Sequence, residues 1–160
     1  MDRLWSPWRM EYINAAHGDD VGCIFCELPK RGDDDGSFIL ARERHAFAML
    51  NAYPYNPGHL MVAPFRHVGE LPDLSDDESA DISHLLQGSV GALRDEMDPH
   101  GYNVGMNLGK VAGAGVPDHL HWHVVPRWNG DTNFMPVVGA TRVLPESLDD
   151  TFGKLRPRFA

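Results

Sequence analysis

At 160 residues with 42% hydrophobic side chains, the chain is long and apolar enough to bury a real core, which excludes global disorder. Its formal charge of −9 opposes the counterion-displacing contacts that a nucleic-acid polymer requires, yet a small phosphorylated ligand stays compatible with local groups such as Arg66, Lys110 and Arg127 and with backbone N–H donors. No run approaches the roughly 20 apolar residues that cross a bilayer, and MDRLWSPWRM lacks the apolar segment of a signal peptide, so a cytoplasmic location without a membrane partner is expected.

The only cysteines, Cys23 and Cys26, frame the segment Cys23-Ile24-Phe25-Cys26. With no others to form a disulfide framework, the pair reads as half of a metal site, as a redox couple or as two buried thiols, and other ligands must decide. The run Asp33-Asp34-Asp35 reads as a solvated loop, because clustered carboxylates repel one another. Residues 37–41 and 46–50 read as short strands of a hairpin, separated by charge around Arg42-Glu43-Arg44. Dense turn chemistry follows in Asn51-Ala52-Tyr53-Pro54-Tyr55-Asn56-Pro57-Gly58, after which residues 59–63 resume a strand.

Ser75-Asp76-Asp77-Glu78 has the form of a capping box, and Ile82, Leu85, Leu86, Val90, Leu93 and Met97 then recur at helical spacing. This helix should end near Pro99-His100-Gly101 and lead into a strand over 102–107. Its apolar stripe is expected to face the core. Residues 108–118 form a loop carrying Gly109, Gly113 and Gly115; such a loop can approach phosphate closely and present a nest of N–H groups, although it lacks Walker spacing. Beyond Pro126, Trp128-Asn129-Gly130-Asp131 predicts a turn, and Pro145-Glu146 followed by Leu148, Phe152 and Leu155 predicts a short terminal helix.

The most informative segment is His119-Leu120-His121-Trp122-His123-Val124-Val125. A strand sends alternate side chains to opposite faces, so three imidazoles would line one surface at steps of roughly 7 Å while Leu120, Trp122 and Val124 enter the core. Histidine is a frequent metal ligand, acid, base and nucleophile near neutral pH, which makes a functional site the natural reading.

This segment resembles the signature of the histidine triad, or HIT, superfamily, in which His alternates with apolar residues. The resemblance extends backwards through Asn51, Pro57-Gly58-His59, Pro64-Phe65-Arg66-His67 and Asn107. It implies a single α+β domain over residues 1–160, with an antiparallel sheet, packed helices and a C-terminal extension, that forms a homodimer. It also implies nucleotidyl transfer at an α-phosphate through a covalent nucleotidyl-histidine, with His121 as nucleophile. His123 would bind phosphate oxygen or assist the leaving group, and His59 would buttress the triad. Asn51 matches a ribose-contacting position; Asn107 and the loop Gly113, Ala114, Gly115 and Val116 match the phosphate-binding region. The sequence departs from the family pattern at Gly115-Val116-Pro117, where relatives commonly carry Ser, Thr or Gln, so a side-chain phosphate contact is missing.

Zinc-containing HIT-like branches, including galactose-1-phosphate uridylyltransferase, pair Cys-X-X-Cys with two distant histidines. The matching positions here are Cys23, Cys26, His67 and His119, a closed four-ligand set suited to structural zinc. That division leaves His121 for chemistry. A catalytic three-histidine zinc site ranks lower, because alternate positions on a straight strand converge poorly on one ion.

Leu4-Trp5-Ser6-Pro7-Trp8-Arg9, Pro126-Arg127-Trp128 and Gly130-Asp131-Thr132-Asn133-Phe134 resemble the diadenosine tetraphosphate phosphorylase branch. A dinucleoside polyphosphate substrate with inorganic phosphate as acceptor is the implied reaction. The rivals are hydrolysis of nucleoside phosphoramidates or dinucleotides, and a noncatalytic nucleotide-binding module. No organic cofactor is expected.

Overall fold

The structure is a computed structural model that describes residues 22–132 and 144–159. The motif at Leu4 to Arg9 and the pair Asn133-Phe134 lie outside the described residues.

A five-stranded antiparallel sheet carries the described part of the chain, in the order β1 (Ile39–Arg42), β2 (Ala46–Leu50), β3 (Leu60–Pro64), β5 (Trp122–Arg127), β4 (Gly101–Met106). Helix α1 (Ile24–Lys30) precedes the sheet, α2 (Asp76–Met97) joins β3 to β4, and α3 (Leu148–Leu155) follows β5. The expected α+β architecture is therefore present.

Every residue of β2 and β3 is buried. A sheet covered on both faces loses the apolar–polar alternation of a half-exposed one, which explains why these strands read as continuous apolar runs. On one face α2 sets Ile82 and Leu85 against Ala46, Ala48 and Val62, and Ala92 and Leu93 against Leu40, Leu50, Leu60 and Val124. On the other, Phe25 of α1 joins Ile39, Phe47, Met49, Met61 and Ala63. Each fully buried leucine or phenylalanine contributes about 2 kcal/mol by leaving water.

The capping box forms as predicted: Ser75 Oγ accepts from the Glu78 N–H at 3.2 Å, and the Glu78 carboxylate accepts from the Ser75 N–H at 2.9 Å. The helix stops at Asp98, which takes a left-handed conformation with φ 44°. The terminal helix is also present, capped by Ser147. Arg156, just after it, donates to the Leu40 carbonyl and ties the chain end to β1.

One expectation is corrected. Regular strand begins at Trp122, not His119, because the His119 N–H donates to Val116 and the Leu120 N–H to Val68 before β5 joins the ladder. Helix α1 has no counterpart in the sequence reading; it is seven residues long, too short to display an apolar period. The acidic run lies in a turn with Asp33 and Asp35 exposed, as expected of a solvated loop; within it Asp34 takes a two-pronged contact from Arg42 at 2.7–3.1 Å and Asp33 accepts from the Gly36 N–H at 2.9 Å.

Candidate active site and metal centre

Two clusters of candidate site residues lie side by side on the sheet face that α1 covers. The first gathers Cys23, Cys26, His67 and His119, whose ligand atoms all lie within 4.8 Å of one another. His119 Nδ1 is 3.2 Å from Cys23 Sγ, 3.5 Å from Cys26 Sγ and 3.2 Å from His67 Nδ1, while Cys26 Sγ is 3.4 Å from His67 Nδ1. A tetrahedral zinc with bonds of about 2.3 Å to sulfur and 2.0–2.1 Å to nitrogen sets its donors about 3.3–3.8 Å apart, so the set fits one ion.

The tautomer of His119 agrees with that role. Its Nε2–H donates to the Pro64 carbonyl at 2.9 Å, and a carbonyl can only accept. The Nδ1 lone pair of a neutral ring therefore faces the two sulfurs, with the partner that commonly orients a metal-binding imidazole already in place. Burial pushes the His119 imidazole below its ordinary range, the Pro64 contact opposing it, and burial raises the Cys23 thiol.

Helix α1 builds this corner. Cys23 occupies its N-cap, and the Cys26 and Glu27 amides both donate to the Cys23 carbonyl at 2.9 Å, which turns the two thiols toward one point. His67 comes from the segment after β3 and His119 from the segment before β5, so the centre joins pieces that only the fold brings together.

The second cluster is a row of imidazoles. His121 is 5% exposed, and its Nδ1–H donates to the His119 carbonyl at 2.8 Å. In a neutral ring this places the lone pair on Nε2. Burial holds the imidazole below its ordinary range, against the carbonyl contact that raises it. Its ring meets His123 edge-on at 5.1 Å, and Phe25 stacks on its face at 4.7 Å and 28°.

His123 and His59 form a relay whose polarity is fixed from one end. The Tyr55 N–H donates to His59 Nδ1 at 3.0 Å, so a neutral His59 carries its proton on Nε2. That atom is 2.9 Å from His123 Nδ1, which makes Nδ1 the acceptor and leaves the His123 proton on Nε2. His59 is 1% exposed and stacks with Tyr55 at 4.6 Å. One imidazole thus presents a lone pair and its neighbour a proton, a pairing suited to nucleophilic attack with assistance to a leaving oxygen.

Asn51 is buried at the end of β2, its Oδ1 accepting from the Tyr53 N–H at 2.9 Å. Asn107 follows β4 and donates to the Gly113 carbonyl at 3.3 Å, clipping the glycine loop. Within that loop the Gly113 amide donates to Lys110 and the Ala114 amide to Gly109, so an anion nest there would draw on the amides of Gly115 and Val116. Arg66 and Arg127 are engaged by carboxylates instead, Arg66 by Glu78 at 2.7–2.8 Å and Arg127 by Asp131 at 2.6–2.9 Å. Sequence reasoning missed Phe25 and Tyr55; an aromatic residue inside the Cys-X-X-Cys segment was the available signal for the first.

The profile of the HIT domain family matches residues 34–130. The chain belongs to the HIT domain family. Over its whole length it is 44% identical to a Mycobacterium tuberculosis protein named AP-4-A phosphorylase, covering 85% of that protein. An adenosine 5'-monophosphoramidase of Schizosaccharomyces pombe is 35% identical over 68% of this chain and 77% of its own length. Among solved HIT structures, a zinc-bound histidine triad family protein from Mycobacterium smegmatis superposes with a TM-score of 0.67 at 25% identity, covering 86% of this chain and 93% of that one. A histidine triad nucleotide-binding protein from Sulfolobus tokodaii shares the fold with a TM-score of 0.68 at 23% identity, covering 86% and 91%.

Proposed function

We propose that the protein is a nucleotide-processing enzyme that splits diadenosine tetraphosphate by phosphorolysis through a nucleotidyl-His121 intermediate. The observation that carries this reading is the tautomer pair, a lone pair on His121 Nε2 beside a proton on His123 Nε2. The full-length likeness to a protein named AP-4-A phosphorylase supports the choice of substrate.

In the first step His121 Nε2 attacks an α-phosphorus and the bond from that phosphorus to its bridging oxygen breaks. ATP departs, its new terminal oxygen receiving the His123 Nε2–H as a hydrogen bond. The adduct is a cationic imidazolium that keeps its Nδ1–H on the His119 carbonyl. In the second step an oxygen of inorganic phosphate attacks the same phosphorus, the N–P bond breaks, ADP forms and neutral His121 returns. Asn51 is assigned to the ribose, and Asn107 with residues 113–116 to the phosphates. The backbone then supplies what the missing Ser, Thr or Gln side chain does not.

Cys23, Cys26, His67 and His119 would hold a structural zinc, which when bound supplies a rigid cross-link between α1 and the two ends of the site. The thiolates require a reducing compartment, which favours the cytoplasm. Among the described residues no helix is long and apolar enough to cross a membrane. We assign a homodimer joined at β4, one of the two edge strands of the sheet, where Val104 is 50% exposed.

The test is product analysis with diadenosine tetraphosphate. ADP plus ATP should form with phosphate present, and turnover should nearly cease without it. AMP plus ATP in either buffer would replace phosphorolysis by hydrolysis, and binding without cleavage of any nucleotide would leave a noncatalytic module.

A further inference from the structure

The turn between β2 and β3 carries Tyr55, whose amide decides which His59 nitrogen bears the proton, and the turn is held at two levels. At its base the Asn51 N–H donates to the His59 carbonyl at 2.9 Å, and within it the His59 N–H donates to the Asn56 carbonyl at 3.1 Å. Its tip is held from outside by the Asn56 side chain, whose Nδ2 lies 2.9 Å from the Pro126 carbonyl and 2.9 Å from Asp131 Oδ2. A carbonyl and an ionised carboxylate can only accept, so the amide must present its NH2 group to them, and both of its hydrogens are taken.

Asp131 is itself anchored. Arg127 grips its carboxylate from Nε at 2.6 Å and Nη2 at 2.9 Å, and the Trp128 N–H donates to Oδ2 at 3.2 Å. The Arg127 guanidinium above all holds the Asp131 carboxyl below the usual carboxylate range, against the effect of burial, so the acceptor stays charged near neutral pH. Pro126 belongs to β5, the strand that carries His123. One amide side chain thereby fastens the turn that orients His59 to the strand that holds its partner ring.

The direction of the His59–His123 pair depends on that fastening. Once the Tyr55 amide leaves His59 Nδ1, the His59 proton can occupy either nitrogen. With the proton on Nδ1, His59 Nε2 becomes an acceptor, the His123 proton moves to Nδ1 to meet it, and a lone pair replaces the N–H on His123 Nε2. Both rings stay neutral in this inversion, but nothing remains to donate to a leaving oxygen.

We propose that Asn56, backed by Asp131, is a positioning residue for the transfer reaction: its side-chain amide holds the 55–59 turn against β5 and so keeps the His123 proton on Nε2. This rests on the reading of His123 as donor to the leaving oxygen.

Asn56→Asp keeps the size but turns acceptors toward a carbonyl and a carboxylate, whereas Asn56→Ala removes the donors without adding repulsion and serves if the first fails to fold. Glu78→Gln is the control for lost stability, since it weakens the capping box of α2 and leaves the turn intact. The His59 and His123 tautomers would be read by long-range proton–nitrogen correlation, and adduct formation timed with α-phosphate-labelled diadenosine tetraphosphate. Affinity would be measured with a non-cleavable dinucleotide. The Asn56 variants should show mixed tautomers at both rings, form the adduct about tenfold to a hundredfold more slowly, and keep affinity within about threefold. Glu78→Gln should match the wild type in tautomers and rate. Unmixed tautomers in the Asn56 variants, adduct formation at the wild-type rate, or equal changes in Glu78→Gln would overturn the proposal. A wild type that forms no adduct would sink the transfer reading instead, and unmixed tautomers in the Asn56 variants would then still overturn the role of Asn56.

Discussion

His59 Nε2 lies 2.9 Å from His123 Nδ1, and the Tyr55 amide on the far side of the His59 ring decides which of the two carries the shared proton. A main-chain N–H cannot reverse its role, so it sets the direction of the His59–His123 pair. Replacing His59 by Gln removes a ring that accepts on one side and donates on the other. We expect kcat to fall roughly tenfold to a hundredfold, in the range for loss of a group that orients a catalytic imidazole, with KM changed little. Steady-state kinetics with phosphate saturating checks this; a KM effect with kcat preserved would move His59 from the chemistry to substrate binding.

The parts of the fold that were legible in sequence are those whose signals are local. Ser75 and Glu78 announce the start of α2 three residues apart, and the stripe from Ile82 to Met97 shows its buried face. The triad was legible as a constellation but not as a straight strand, because His119 and Leu120 bond to Val116 and Val68, partners that no period reveals. The metal set joins Cys26 to His67 across 41 residues and Cys23 to His119 across 96. No spacing rule spans such separations, and the set was named only through resemblance. Phe25 escaped for a related reason: an aromatic residue in a short helix reads as core, and its contact with His121 exists only once α1 folds over the sheet beside the segment that leads into β5.

Metal removal should be visible as lost stability. Cys23→Ser combined with Cys26→Ser deletes two of the four donors, which ought to eliminate the roughly one zinc per chain expected of the wild type. Ligand linkage at a hundred to a thousand times Kd is worth about 3–4 kcal/mol, so Tm should drop by roughly 10 °C. Metal analysis of chelator-washed protein and a thermal melt provide the check; full zinc retention in the double variant would rule out these ligands.

Gly58 adopts φ +79°, and a Cβ there would lie 2.8 Å from both Leu93 Cδ2 and Met97 Sδ and 3.3 Å from Pro126 Cγ. Leu93 is fully buried and has no room to retreat. Gly58→Ala therefore combines left-handed strain with overpacking and should destabilise by about 2–3 kcal/mol. Because residue 58 leads directly into His59, the same substitution should also lower kcat. Urea unfolding compared with the wild type measures the first effect, and a midpoint shift near zero would show that α2 yields at this point.

The acid limit of stability should carry the signature of one carboxylate. Glu78 is buried at the start of α2, where the Arg66 guanidinium above all, with the Ser75 amide and hydroxyl, holds its carboxyl down to about 2 against the opposing effect of burial. The unfolded chain would bind that proton near the ordinary glutamate value of 4.5. A group whose folded value is depressed stabilises above the unfolded value and loses that contribution as pH falls toward the folded one. The loss should thus run from about pH 4.5 down to about pH 2. Half of the Arg66 side chain is in water, so screening reduces the contribution to roughly 1–2 kcal/mol. Glu78→Gln retains size but cannot ionise, and its stability should be lower than wild type at neutral pH and converge with it near pH 2. Urea midpoints of the two proteins at matched pH isolate the difference from any acid loss of metal common to both. A constant gap between the curves across that window would show that Glu78 stabilises α2 through its cap geometry rather than through its charge.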